Sequence, residues 1–239
     1  MRWLAAIVGV AACGRVGFDA VPAPNGDAGR DANHDALDAA PTLPAVVQFQ
    51  SMYSMSSTTA ELTTTSTRTD DLLIVVTSDV HDGSPLSMIA DTAGDAFVSA
   101  NASFSNSPAL GEIWYVASGI GGATALTITD GAATDREVWF LEITGAGQLD
   151  VANEISDQSS GMTVTAPSVT PTHLPAMIVS AALVTGGVET VAGEFTELPV
   201  LNGDDATFAI VSTPGSYGAT LTVDVAGTYG AATVAFDAP

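Results

Sequence analysis

The sequence predicts an all-β protein built as a β-sandwich. From Ala45 onward, short runs rich in Val, Ile, Thr and aromatic residues alternate with Gly, Pro, Asn and Asp at intervals of about ten residues. The runs 72–76 and 138–141 are continuously apolar, which is typical of central strands covered on both faces. Helical periodicity is hard to find after residue 45, so we expect strands throughout this region.

Residues 1–12 have the layout of a signal peptide. Arg2 supplies a positive charge, and an apolar run from Trp3 to Ala12 follows it. As a helix this run would span about 15 Å, half of the roughly 30 Å hydrocarbon layer of a membrane. The run is therefore too short to be a stable transmembrane helix.

Cys13, the only cysteine, follows this apolar run directly. The segment 10–13, Val-Ala-Ala-Cys, resembles the bacterial lipobox, in which an aliphatic residue and two small residues precede the cysteine that is lipidated and becomes the mature N-terminus. The resemblance implies a diacylglycerol and an N-acyl chain on Cys13, and stable anchoring takes more than one chain. A lone cysteine cannot form an internal disulfide, and lipidation accounts for it. The alternatives are an ordinary buried cysteine and a misassigned start codon.

Residues 13–44 are predicted to be the lipidated cysteine and a flexible, disordered acidic linker. The segment shows no apolar periodicity, so it cannot bury enough surface to offset the entropy of ordering. Its prolines and regularly spaced aspartates are Pro22, Pro24, Pro41 and Pro44, and Asp27, Asp31, Asp35 and Asp38. A solvated spacer is the favoured interpretation, and an acidic stripe that binds cations is the alternative.

Residues 45–239 are predicted to form one β-sandwich domain. We expect strands near 45–53, 58–67, 71–78, 86–91, 96–101, 111–118, 123–129, 136–144, 161–165, 175–184, 195–200, 206–213, 219–225 and 231–237. The segment 91–94, Asp-Thr-Ala-Gly, predicts a hairpin turn between two of the shorter strands.

An internal similarity links the two halves of this domain at an offset of about one hundred residues. Four segments of the first half match four of the second: 73–75 matches 177–179, 112–118 matches 207–212, 122–128 matches 218–223, and 138–142 matches 233–237. Chance similarity between Gly-Ala-Thr-rich strands is the alternative to a duplication. If the repeat is real, each half needs the other to bury a face.

Composition excludes several functions. The net charge is −22, and all five cations are arginines, so the chain repels phosphate backbones and anionic lipid headgroups. The absence of lysine excludes a phosphate-binding loop, a Schiff base and a Ser/Lys dyad, and one cysteine excludes a paired-cysteine zinc site. We therefore predict no nucleic-acid partner.

Catalytic candidates are few. A Ser/His/Asp triad could use His81 or His173, but no Gly-x-Ser-x-Gly motif marks a nucleophile. Glu137 and Glu142 are five residues apart on one strand and point to opposite faces, so they do not form a glycosidase pair. We predict that the protein is not an enzyme and has no catalytic residue.

Ligand sites are equally weakly indicated. Loop aspartates that could bind calcium are Asp79 with Asp82, Asp91 with Asp95, and Asp204 with Asp205, but no EF-hand loop is present. Trp114, Tyr217 and Tyr229 are the candidate aromatic platforms for a glycan. The two tyrosines flank one predicted strand and lie about 25 Å apart. We predict no metal and no other cofactor.

The region 45–239 resembles the uncharacterised jelly-roll-like β-sandwich modules of secreted bacterial and phage-associated proteins, through segments 70–76, 91–95 and 113–116. The resemblance implies two sheets with about 12 to 14 strands in all. Residues 13–19, followed by an Asp/Ala-rich stretch, are also similar to the start of many myxobacterial lipoproteins.

These observations lead us to expect an envelope-anchored lipoprotein that presents a non-catalytic β-sandwich, with a structural or binding role. The expected location is the outer membrane or cell surface, or else the periplasm, with the lipid on Cys13 as the contact with the membrane. The expected partner is a glycan or another envelope protein. A glycan-binding adhesin and a cryptic hydrolase are the alternatives.

Overall fold

The computed structural model describes residues 42–79 and 85–238, and these residues form fourteen strands and no helix. The predicted all-β fold is confirmed. The signal peptide, Cys13, most of the linker, His81 and Asp82 lie outside the described residues. The strands are β1 (Ala45–Thr63), β2 (Leu72–Asp79), β3 (Leu86–Asp91), β4 (Val98–Asn106), β5 (Ala109–Val116), β6 (Ala125–Thr144), β7 (Gln148–Ser159), β8 (Thr163–Thr165), β9 (Ala176–Val184), β10 (Val188–Ala192), β11 (Thr196–Glu197), β12 (Asp205–Val211), β13 (Thr220–Val223) and β14 (Thr228–Asp237).

Two antiparallel sheets pack face to face. The first has the strand order β1-β6-β2-β5-β4, with β3 paired to β6, and the second has the order β11-β12-β9-β14-β7. Between them lies the main core, in which Ile74 and Trp139 of the first sheet pack with Val179 and Phe236 of the second. Among the described residues, no helix is long and apolar enough to cross a membrane.

Smaller layers cover the outer faces of both sheets. The outward-facing Val75 and Phe140 pack against Leu62 and Ile128, which lie in the distal halves of the long strands β1 and β6. A three-stranded sheet, β10-β13-β8, covers the outer face of the second sheet in the same way. The apolar runs at 72–76 and 138–141 are therefore central and covered on both faces, as predicted.

The two halves of the domain repeat one topology. Taken in order across the first sheet, the strands are β1, β6, β2, β5 and β4. Their counterparts in the second sheet are, in the same order, β7, β14, β9, β12 and β11. The distal halves of β6 and β1 correspond to the separate strands β13 and β8, since each pair is antiparallel and lies over its own sheet. The internal similarity in the sequence therefore has a structural counterpart throughout the domain.

The structure shifts one segment of the predicted match by one residue. Leu73 faces the outer layer, whereas Met177 faces the main core, so these two cannot be equivalent. Ile74 pairs with Leu141 as Met177 pairs with Phe236, and all four side chains lie in the main core. Ile74 is therefore the counterpart of Met177, because a one-residue slip moves a strand's side chains to the opposite face.

Some elements differ from the prediction. β7 and β10 were not predicted, because their many polar residues hide the period-two pattern and pairing with β14 and β13 stabilises them. The predicted strands 45–53 and 58–67 merge into β1, and 123–129 and 136–144 merge into β6. The turn at Asp91 exists, but it is not a hairpin, since β3 pairs with β6 and β4 with β5.

Replacement of Phe236 by alanine should destabilise the fold strongly. Phe236 is fully buried between the sheets, with its ring centroid 5.3 Å from that of Tyr115. Loss of a buried phenylalanine side chain costs about 3 to 5 kcal/mol, because burial is lost and a cavity remains. Urea denaturation should show this decrease for Phe236→Ala and less than about 0.5 kcal/mol for the exposed control Met88→Ala. Equal effects would contradict the two-sheet core.

Candidate functional site

The sandwich has two lateral seams, where an edge strand of one sheet meets an edge strand of the other. At the seam between β4 and β7, which we name the closed seam, β7 side chains accept hydrogen bonds from the β4 backbone. Ser103 N–H donates to the Glu154 carboxylate at 2.9 Å, and Ser107 N–H donates to the Asp157 carboxylate at 2.8 Å. The polar edge of β4 is thus satisfied by its neighbour.

The equivalent seam, between β11 and β1, is open. β11 occupies the place of β4 but pairs with β12 through only Thr196 and Glu197. A groove of about 530 Å³ remains there, which we name the open seam. Its lining residues are Val46, Val47, Gln48, Phe49, Thr196, Glu197, Leu198 and Phe208.

A proline distinguishes the segment after β11 from the corresponding part of β4. Leu198 is the counterpart of Phe104 in β4. Phe104 pairs with Gly111 of β5, and Leu198 N–H donates to the Ala206 carbonyl of β12. Both side chains enter the main core. The next residue is Ser105 in β4 but Pro199 in the second half. Ser105 N–H donates to the Ser156 hydroxyl at 2.9 Å, whereas proline has no N–H to donate. Pro199 therefore cannot make the outward contact by which Ser105 joins β4 to β7, although the pairing with β12 still reaches Leu198.

Phe49 shows that residues 42–79 and 85–238 leave the open seam partly uncovered. It pairs with Leu141, a main-core residue, so its ring lies on the inner face of the sheet, yet 48% of its surface is exposed. Leu149, at the equivalent position opposite Phe236 in β7, packs against the main core. An inward-facing aromatic ring that is half exposed marks a place where an apolar segment can bind.

A buried carboxyl pair lies at one end of the sandwich interior. Asp204 accepts hydrogen bonds from the Ser78 hydroxyl of the first sheet at 2.8 Å and from the Val184 N–H of the second at 2.9 Å. Glu137 is fully buried beside it, and neither of its oxygens has a hydrogen-bond partner within standard distance among the described residues. Burial, reinforced by the Asp204 carboxylate, raises the pKa of Glu137 to about 10.

Asp204 of this pair links the two sheets. Burial raises the pKa of Asp204 to about 6, although its two hydrogen bonds from Val184 and Ser78 lower it. A pocket of about 250 Å³, lined by Asn106 and Asn202 among others, reaches Asp204. Each Asp204 oxygen already accepts one hydrogen bond from the protein, and these two contacts hold the carboxyl between the sheets.

Other buried charges form a second group on the outer face of the first sheet. Arg136 donates two hydrogen bonds to Asp130 and lies 3.7 Å from Asp79. Glu112 accepts the Leu86 N–H at 2.8 Å, and burial raises its pKa. These contacts hold β3 and the distal half of β6 over the sheet.

The two histidines predicted as catalytic candidates are not brought into a triad by the described residues. His173 is exposed and lies 3.2 Å from Asp237 and 3.0 Å from the Thr172 hydroxyl, with no serine among its recorded partners. His81 lies outside the described residues. Glu137 and Glu142 point to opposite faces, as predicted, since Glu142 accepts the Arg68 N–H at 2.6 Å on the outer side.

The aspartates considered for calcium have structural contacts instead. One Asp91 oxygen accepts the N–H groups of Ala93, Gly94 and Asp95 and so holds the turn after β3. Asp95 accepts the Ile120 N–H at 2.8 Å, and burial raises its pKa. Within 42–79 and 85–238, no group of three or more His, Cys, Asp or Glu side chains is arranged to hold a metal ion.

Asp204 and Asp205, although adjacent, do not share a site. Asp204 faces the sandwich interior beside Ser78, whereas Asp205 borders a closed gap on the outer face of the second sheet, lined by alanines, Ser180 and Thr207. Burial, together with the charge of Glu197, raises the pKa of Asp205 to about 8. Their opposite directions follow from the alternation of side chains along a strand.

The aromatic candidates do not form a glycan platform. Tyr217 is buried and donates its hydroxyl to the Thr213 carbonyl at 2.6 Å. Tyr229 packs in a different cluster, and Trp114 packs half buried against the outer face of the first sheet. The open seam, which sequence reasoning missed because strand pairing defines it, is the main candidate binding surface.

Comparison with family models, curated proteins and solved structures finds no match to this chain.

Replacement of Glu137 by glutamine should change how stability depends on pH. Because the folded pKa of Glu137, about 10, exceeds its ordinary value, the folded state retains a proton that the unfolded state releases, and stability falls as pH rises between these values. Glutamine needs no proton, so Glu137→Gln should be more stable than the parent by about 1 to 3 kcal/mol at pH 8 and similar to it at pH 4.

Urea denaturation at pH 4, 6 and 8 would measure this difference, with the exposed Glu61→Gln as a control. A parallel pH profile for Glu137→Gln and the parent would show that Glu137 is not the group that retains the proton. Asp204 and Asp205, with raised pKa values, contribute the same sign, so some pH dependence should remain in the variant.

Proposed function

We propose that this protein is an envelope-anchored lipoprotein whose β-sandwich has a binding role and no catalytic centre. The observation that carries the binding role is the open seam, where the inward-facing Phe49 is half exposed beside an edge strand. Apolar grooves with few polar groups are typical of binding surfaces. Glu197 is the only charged residue in its lining.

Several contacts support binding over catalysis. The strongly shifted carboxyl groups, Glu137, Asp204 and Asp205, lie inside the fold or have their oxygens engaged by the protein. An enzyme needs a shifted acid or base within hydrogen-bond reach of a substrate. The groove at the open seam lacks such a group apart from the exposed Glu197.

The anchor is proposed from the sequence. The lipobox-like segment 10–13 and the single cysteine support lipidation at Cys13, and the linker to residue 44 would separate the sandwich from the lipid surface. The chain's net charge of −22 opposes contact with anionic headgroups, so the lipid is the proposed contact with the membrane.

Substitution of Cys13 by serine should release the protein from membranes in the native host, because serine has no thiol to acylate. Mass spectrometry of the mature parent should find acylated Cys13 at its N-terminus. Arg15→Ser, two residues beyond the lipobox, is the matched control and should stay in the membrane fraction. An intact Met1 on the mature parent would contradict the proposal.

A further inference from the structure

We infer that the open seam binds an extended, neutral-to-basic peptide segment of a partner protein, which adds as a strand to the free edge of β1. This inference rests on the proposed binding role and names the class of partner. It is carried by the backbone edge of β1, the repeated topology, the exposed apolar side chains and the charge of the chain.

The groove runs along the backbone edge of β1. Its lining includes the four consecutive residues Val46–Phe49, whose side chains alternate between the two faces of the sheet. Because the groove is lined by residues from both faces of the sheet, it must run along the edge of β1. Among the described strands, β1 pairs with β6 alone; its register shifts between Val46 and Gln48, inside the groove, and is regular from Gln48 to Ser54. These seven residues offer a regular edge to an added strand.

The repeat shows what kind of segment fits. At the closed seam the matching space is filled by β4, an extended strand whose Ala100, Ala102 and Phe104 enter the main core. At the open seam Leu198, the residue after β11, takes the place of Phe104 in that core, and β12 continues past β11 through Ala209–Val211 with β9 as its one paired neighbour among the described strands. The space suits an extended segment with small or aromatic apolar side chains at alternate positions. Because β4 pairs with β5 and not with β7, the repeat indicates which side chains fit and not which edge the segment pairs with.

Charge separates the possible occupants. Two copies of this chain would each bring a net charge of −22, so pairing between copies is opposed by repulsion. The linker of this chain carries Asp27, Asp31, Asp35 and Asp38 and would face Glu197 in the groove. A segment with lysine or arginine beside its apolar residues gains attraction, so a partner protein's basic strand is favoured.

The probe for the test is a fluorescent peptide with the sequence of β4, Val98–Asn106, flanked by two lysines at each end. Fluorescence anisotropy with the purified full chain should show saturable binding, and the same peptide flanked by glutamates should bind at least about tenfold more weakly. Phe49→Ser should weaken binding of the lysine peptide about tenfold. Met88→Ser, which removes an equally exposed methionine elsewhere, should leave it unchanged.

Hydrogen exchange gives an independent readout that folding defects do not imitate. Peptide binding should slow amide exchange within Gln48–Ser54, because an added strand takes up the free N–H groups of that edge. Glu197→Gln should weaken binding and reduce its salt dependence.

Three results would overturn the inference: no saturable binding of the lysine peptide, equal binding by Phe49→Ser and the parent, or unchanged exchange within Gln48–Ser54. A concentration-dependent dimer that Phe49→Ser abolishes would assign the seam to a second copy instead. Lipidation of Cys13 is measured separately, so failure here is distinguishable from failure of the proposed anchoring.

Discussion

Neither sheet of this protein can bury its inner face alone. Ile74, Trp139 and Leu141 need the apolar surface offered by Val179, Val234 and Phe236, and the reverse is equally true. Burial of apolar area is the dominant favourable term in folding, so the face-to-face contact of the repeated halves fixes the positions of everything else. The seams, the buried acids and the outer layers all follow from how two copies of one topology meet.

The apolar runs made part of this fold predictable. The segments 72–76 and 138–141 identified the central strands, and the matched segments identified the two halves, because burial imposes a local pattern. β7 was not predicted, because its polar residues hide the strand pattern and its pairing partner, β14, is distant in sequence. The open seam escaped for the same reason: Phe49 and Leu198 are far apart in the chain, and only the pairing of strands places them beside one groove.

The acids were harder to interpret from sequence than the apolar residues. Asp204 and Asp205 look like one acidic pair, yet one links the two sheets and the other borders a gap among alanines. Asp91 looks like a hairpin turn residue, and it does hold a turn, but between strands that pair elsewhere. The chemistry of such groups depends on burial and partners, which local spacing does not specify.

The two halves differ at one equivalent position, Ser105 in the first and Pro199 in the second, and this difference gives the two seams different hydrogen bonding. The closed seam keeps its backbone hydrogen bonds whatever occurs at the opposite side of the sandwich, so it preserves the shared core. The segment around Pro199 is nevertheless tied to the fold, because Trp139 donates its indole N–H to the Pro199 carbonyl at 2.8 Å and Leu198 is buried in the main core. Two halves with one topology thus end in two different rims, one sealed by backbone hydrogen bonds and the other bordered by a groove.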